Sequence, residues 1–302
     1  MSEMTTGYLY KKIRLERGLR IADVAGEISV STVSKFENGH SEISADKLIK
    51  LLNKLGMDTS EFFEILDQAH TSNAISTNTS QRRFVQTLRQ LGLEQDIDGL
   101  KRFRSQFTNQ FQKTHRKLNK LREIIISSII MDTQDAHKLL SLSDSKYVSD
   151  YLLERDIWYK LEYVLYSDCV PFLQPQDFQR LYTKFLTIHF SFRQRGNYLP
   201  LFFQSFYNTA VALYYRKEYS QAIQTLDRLK EQQIPDNLFS VRLHLRLLRG
   251  LCLYQLTKSP ETAEELASLV KVISKVSPVF GRRWKAEFHF HEPIGDLSLI
   301  HI

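Results

Sequence analysis

Residues 29–39 read SVSTVSKFENG, and this stretch decides how the first part of the chain folds. A helical period places Val33 and Phe36 on one face, where an apolar core can bury them. The other positions face outward and carry small hydroxyls and one cation: Ser31, Thr32, Ser34 and Lys35. Asn38-Gly39 then supplies a pair that readily adopts positive φ, which ends the helix. Hydroxyls and a lysine suit base edges and phosphates, so the stretch predicts a DNA-binding helix.

Four further short helices surround this one in the first 66 residues. We expect them at about 6–17, at 21–26, from the N-cap Ser44 to Gly56, and from an N-cap at Thr59 or Ser60 onward. Gly18 and Gly56 supply left-handed caps at helix ends. Three short helices with a tight turn before the third form the arrangement that lets the third helix enter the major groove.

Arg14 and Glu37 have opposite charges on the first and third predicted helices. We expect them to form an ion pair that braces one helix against the other. The alternative role for Arg14 is a direct phosphate contact.

The sequence as a whole predicts an all-α fold with two domains. Gly and Pro are scarce, 11 and 7 in 302 residues, and apolar residues recur with helical spacing. Residues 71–80, TSNAISTNTS, are small or polar and mark a linker. The prediction is a helix-turn-helix domain at 1–66, a linker at 67–80, and a helical regulatory and dimerisation domain at 81–302.

A weak internal repeat lies near the end of this second domain. Small residues at 210 and 222 allow two antiparallel helices to approach closely, and Gly250 and Ala263 recur about forty residues later. This pattern resembles degenerate tetratricopeptide repeats, which implies stacked helix pairs with a concave inner surface. The final residues, 286–302, alternate with period two around a Pro-Ile-Gly-Asp turn, which favours a short β-hairpin.

The net charge of +7 comes from a single region. Residues 82–122 have eleven Lys and Arg against three Asp and Glu, whereas residues 1–66 have nine against ten. Within this region Phe103, Phe107 and Phe111 form an inward stripe, and the cations are expected to be mostly outward: Lys101, Arg102, Arg104, Lys113, Arg116, Lys117, Lys120 and Arg122. Two interpretations stay open, a solvated face and a contact with DNA phosphates.

Several classes of protein are excluded by what the sequence lacks. Its two cysteines, Cys169 and Cys252, have no paired spacing, so we expect buried thiols in a reducing, cytoplasmic location, with no metal site and no cofactor. No apolar run approaches the length that spans a bilayer, and no membrane role is expected. No nucleophile elbow, phosphate-cradling loop or other catalytic motif occurs, so an enzyme is not expected.

The first domain resembles the head of the Rgg/GadR/MutR transcriptional regulators of Gram-positive bacteria. The resemblance lies in residues 30–39 and 41–44 and in the apolar positions that follow: Leu48, Leu51, Leu52, Leu55 and Phe62. It implies a helix-turn-helix of the XRE type in which Ser31, Thr32, Ser34 and Lys35 face the groove and Arg14 is the first-helix arginine. Lys35 replaces the usual Arg, which implies looser guanine reading. Some relatives have a cysteine at position 45 that can bridge a dimer, and Ala45 implies no such disulfide here.

The resemblance also implies that the helical body binds a short hydrophobic peptide pheromone. An inward Asn208 can bond both the N–H and the C=O of an extended peptide. Apolar and aromatic side chains share or border the same face: Tyr207, Val211, Tyr214 and Tyr215. The alternative is that these side chains belong to the core of the repeat.

We therefore expect a homodimeric regulator of transcription that binds a double-stranded operator and responds to a peptide in quorum sensing. Two alternatives remain. One is a regulator that answers to stress, a phage or a protein partner, and the other is a helical-repeat scaffold that inhibits a partner protein.

Overall fold

The computed structural model describes residues 5–71, 81–134, 138–187, 199–229 and 234–278. Every regular element in these ranges is a helix, which confirms the all-α prediction. The chain divides into two compact units, Met1–Ser80 and Gln81–Ile302, called here the head and the body. The β-hairpin predicted at 286–302 lies outside the described residues.

The head contains five helices: α1 (Thr6–Glu16), α2 (Ile21–Ala25), α3 (Val30–Glu37), α4 (Ala45–Leu55) and α5 (Thr59–Thr71). Ser44 caps α4 as predicted, by accepting a hydrogen bond from the backbone N–H of Lys47, and Gly56 ends it in a left-handed conformation. Because α5 begins at Thr59, its N-cap position precedes both residues predicted for that role. The helix also includes residues 67–71 of the predicted linker.

The core of the head is a single apolar cluster to which all five helices contribute. Its fully buried members are Tyr10, Val24, Val33, Leu51, Leu52 and Phe62. Gly7 allows α1 to approach the end of α3, because a Cβ at this position would lie 2.0 Å from the carbonyl oxygen of Phe36. The contact of α1 with α3 therefore depends on a residue without a side chain.

The body contains ten α-helices in the described ranges: α6 (Gln81–Leu93), α7 (Ile97–Thr114), α8 (Lys117–Gln134), α9 (Leu142–Leu153), α10 (Lys160–Cys169), α11 (Pro175–Thr187), α12 (Leu199–Tyr215), α13 (Tyr219–Asp227), α14 (Phe239–Thr257) and α15 (Pro260–Val276). None of the described helices combines the length and apolar character that crossing a bilayer requires.

From α8 onward the body repeats one arrangement of two helices. Hydrogen bonds between side chains join the first helices of successive pairs. The bonded residues are 41 positions apart in the sequence in all three cases: Ser128 and Cys169, Asn208 and Ser167, and Gln255 and Tyr214. These bonds stack α8, α10, α12 and α14 side by side. Gly250 leaves room at one helix crossing, since a Cβ there would lie 2.5 Å from a side-chain methyl of Leu266. The glycine therefore leaves room for α15 to pack against α14.

The predicted outward face of residues 101–122 is wrong for Arg122. Its side chain is only 5% exposed, and its guanidinium lies over the rings of Phe84 and Phe107, at 5.0 and 5.4 Å from their centres. The planar cation packs against aromatic faces from two neighbouring helices. Helical spacing alone could not show that α6 would supply one of these rings.

Candidate functional site

Helix α3 presents the face that the sequence predicted. Ser29 begins it as the N-cap, accepting a hydrogen bond from the backbone N–H of Thr32 at 3.1 Å. Val33 and Phe36 are buried at 0% and 5% exposure. Ser31 and Lys35 are exposed on the opposite face, and Thr32 and Ser34 are half-buried at its sides.

Three hydroxyls form a cluster at the start of α3. The Ser29 Oγ lies 3.1 Å from the Ser31 Oγ and 2.8 Å from the Thr32 Oγ1. Each hydroxyl can donate one hydrogen bond and accept others, so the cluster can exchange an internal bond for one to a phosphate oxygen or a base edge.

The expected ion pair between Arg14 and Glu37 is present. Arg14 donates from Nε to Oε1 at 2.6 Å and from Nη2 to Oε2 at 2.7 Å, and its Nη1 donates to the carbonyl of Leu19 at 2.5 Å. Both side chains are buried, and the hydrogen bond to Glu37 raises the pKa of Arg14. Since all three guanidinium nitrogens face protein groups, the geometry favours the brace over a phosphate contact.

Other cations of the head are also paired. Lys11 donates to the Asn38 Oδ1 at 2.7 Å, and Asn38 donates to the Ser34 carbonyl at 2.9 Å, which ties α1 to the end of α3. Arg20 pairs with Asp23 at 3.0 Å. Among the described residues Lys35 has no such partner, so it is a free cation on the exposed face of α3.

Two residues that position α3 were missed at the level of sequence. Tyr10 is fully buried, with its ring 5.9 Å from that of Phe36. Gly7 permits the approach described above. The sequence did contain one signal for Gly7, a glycine inside a predicted helix. Glycine is less favourable than alanine there by about 1 kcal/mol, so its presence indicates a close contact.

In the body, Asn208 is buried and not open to an extended peptide. Its side chain is 0% exposed and donates to the carbonyl oxygen and the Oγ of Ser167, at 3.0 and 2.9 Å. Its Oδ1 accepts no hydrogen bond from the described residues. The amide therefore links α12 to α10 in this conformation.

The other four candidate peptide residues lie around the same helix. Tyr207 and Val211 are buried at 2% and 0% exposure, and Tyr214 accepts a hydrogen bond from Gln255 of α14 at 3.2 Å. Of the five candidates, only Tyr215 is half-buried, and the other four are buried. Helix α12 contacts α10, α13 and α14, so its side chains are enclosed on several sides. The geometry therefore agrees with the alternative in which most of these residues form repeat core.

Two family models match the chain. The model described as "Helix-turn-helix" matches residues 11–62. The model described as "HTH-type transcriptional regulator Rgg, C-terminal domain" matches residues 105–276, which is more than half of the chain.

Solved structures with the same fold cover both units. A protein of Listeria monocytogenes EGD-e described as a candidate transcriptional regulator matches with a TM-score of 0.75 and 19% identity over 94% of this chain and 96% of its own. The Streptococcus dysgalactiae SHP pheromone receptor Rgg2 matches with a TM-score of 0.72 and 17% identity over 94% and 98%. The PrgX/cCF10 complex matches with a TM-score of 0.66 and 16% identity over 93% and 90%.

Proposed function

Because the chain belongs to the Rgg family of helix-turn-helix transcriptional regulators, we propose that it binds a two-fold operator as a homodimer and that a short hydrophobic peptide, bound by the body, changes its operator affinity. One observation carries the proposal: α3 presents hydroxyls and an unpaired lysine outward while the buried pair of Arg14 and Glu37 fixes its direction.

We propose that Ser31, Thr32, Ser34 and Lys35 contact the operator in the major groove. The groove admits one α-helix, and hydroxyls and lysine can bond base edges or phosphates. Arg14 is a positioning residue in this scheme, because its nitrogens are occupied inside the head.

We propose that a second head packs on the cleft between α4 and α5. This cleft has a volume of about 330 Å³, and its lining includes Ile49 and Phe63, which are 43% and 44% exposed. One head offers few base contacts, so specific affinity requires a second head on the other half of the operator. A two-fold interface would cover these apolar side chains in both copies.

The peptide is proposed to bind beside α12. The support is the family match over the body and the likeness to structures described as a pheromone receptor and as a PrgX/cCF10 complex. Tyr215 is the candidate for direct contact, since it is half-buried whereas the other four candidates are buried. Tyr207, Asn208, Val211 and Tyr214 form the layer beneath it. The peptide alters operator binding only if it favours one arrangement of the dimer over another.

The test is a gel shift with the DNA upstream of the chain's own gene, with and without apolar peptides encoded by small reading frames beside the gene. We expect a shift that changes with peptide concentration. The double variant Ser31→Ala/Lys35→Ala should reduce operator preference by about 1–3 kcal/mol for each base contact that it removes. The control Ser143→Ala/Lys271→Ala changes the same residue types at exposed positions of the body. Equal binding by both variants would contradict the assignment to α3.

A further inference from the structure

The α7–α8 hairpin has a concentration of positive charge that the helix-turn-helix does not explain. Residues 99–122 include eight Lys and Arg and no Asp or Glu. Such a stretch without acids is attractive to a polyanion if its cations are free.

The structure separates the neutralised cations from the free ones. Lys120 lies 2.8 Å from Asp144, and Arg122 is buried against two phenylalanine rings. Lys101 and Arg102 lie 3.8 and 3.9 Å from carboxylates of Asp98 and Asp96, and Arg104 is half-buried. Three exposed cations at the turn between the two helices have no ion pair with any described residue: Lys113, Arg116 and Lys117. We call these three the turn cations.

The turn cations lie at the end of the body where the chain arrives from the head. Phe84, one turn after the start of α6, packs 5.4 Å from Phe107 and lies beneath Arg122 near the start of α8. At the other end of α6, Gly92 lies against Ile129, two turns further along α8. Helices α6 and α8 therefore begin at the same end, so Gln81 and the turn at residues 114–117 share that end.

We propose that the turn cations contact the phosphate backbone of the same DNA duplex that the head binds, a role that rests on the proposed function. Residues 1–66 of the head have nine Lys and Arg against ten Asp and Glu, so the head offers little net attraction to a polyanion. Nine residues tether the body to α5, which keeps the turn cations at high effective concentration near a duplex held by the head. Lysine and arginine contacts to phosphate add affinity without adding sequence preference.

The test compares two triple variants of the full chain. Lys113→Gln/Arg116→Gln/Lys117→Gln removes the turn cations, and Lys160→Gln/Lys271→Gln/Lys275→Gln removes the same charge from exposed positions elsewhere on the body. The affinity for DNA upstream of the chain's own gene, and for an unrelated duplex of equal length, is measured between about 50 and 200 mM salt. We expect the first variant to lower the slope of log affinity against log salt by about 1 for each phosphate that is no longer bound, and to leave the ratio of the two affinities unchanged. The control should keep the wild-type slope.

An unchanged slope in the first variant, or an equal fall in both variants, would overturn the inference while the wild-type protein still binds DNA. If the wild-type protein binds neither duplex at low salt, the proposed function itself fails. Should the triple variant unfold, Arg116→Gln alone is the second variant, with an expected fall of about 1 in the slope.

Discussion

Arg14 and Glu37 meet through two parallel hydrogen bonds of 2.6 and 2.7 Å, with both side chains buried in the head. The pair joins the last turn of α1 to the last residue of α3. A two-point contact between planar groups fixes direction as well as distance. The orientation of the recognition face is therefore set by a residue on a different helix.

Removal of either partner should destabilise the head by about 3–5 kcal/mol, because it leaves one charge buried and unpaired. Arg14→Met/Glu37→Leu should recover most of this stability, since apolar groups of similar volume replace both charges. Chemical unfolding of the full chain measures the loss of stability in each single variant and its recovery in the double variant. The double variant should also keep the wild-type salt dependence of DNA binding. A fall in the slope of about 1 would instead assign Arg14 to a phosphate.

Gly7→Ala should destabilise the head by about 1–3 kcal/mol, because the new Cβ collides with the backbone of Phe36 and forces α1 away from α3. Gly92→Ala is the matched control. Its Cβ would meet only a side-chain atom of Ile129 at 3.8 Å, so the better helix former should stabilise the body by up to about 1 kcal/mol. Thermal unfolding of the two variants checks the opposite signs, and a neutral Gly7→Ala would contradict the close approach.

Variants of Asn208 and Tyr215 should distinguish an effect on the stability of the body from an effect on the response to peptide. Asn208→Ala leaves the Ser167 carbonyl without its donor and should cost the body about 1–3 kcal/mol. Tyr215→Ala should cost some stability, because its half-buried ring packs against the core, but it should also weaken the effect of peptide on the gel shift. Phe239→Ala, at a 66% exposed aromatic of α14, is the control for removal of an exposed ring. An unaltered peptide response in Tyr215→Ala would exclude this residue from the site.

The two buried thiols should make the body less stable as pH rises from about 8 to 10. Burial raises the pKa of Cys252 from 9.0 to about 12 and raises that of Cys169 as well. The unfolded chain releases these protons near pH 9 while the native chain retains them, so unfolding becomes easier as pH rises. Each thiol contributes a slope of up to about 1.4 kcal/mol per pH unit.

Unfolding in reductant across this pH range, compared with Cys169→Ala/Cys252→Ala, measures that slope. We expect the double variant to show the weaker pH dependence. Identical slopes would mean that the thiols ionise equally in both states.

The head could be predicted closely because its signals are local. The cap at Ser44, the left-handed end at Gly56, and the inward positions Val33 and Phe36 all follow from residues within one or two turns. Even the pair of Arg14 and Glu37 followed from the complementary charges on two short helices whose packing partners were evident.

The body shows where such reasoning fails. Arg122 has the spacing of an outward cation, yet Phe84 from another helix covers it. Asn208 has the position of an inward ligand, yet Ser167, 41 residues earlier, occupies its amide. The spacing of apolar residues along a helix predicts neither neighbour. It shows which residues share a face of the helix, but not which residues of other helices pack against that face.

The sequence by itself determined that the chain is helical, where the recognition helix ends, and where the surplus of positive charge lies. The tertiary structure decided which of those charges are free and which polar side chains are enclosed. Helix caps and periodicity are short-range properties of the chain, whereas burial in a stacked repeat depends on helices some forty residues away. A residue on α12 is therefore core or surface according to its neighbours α10, α13 and α14, not according to its own helix.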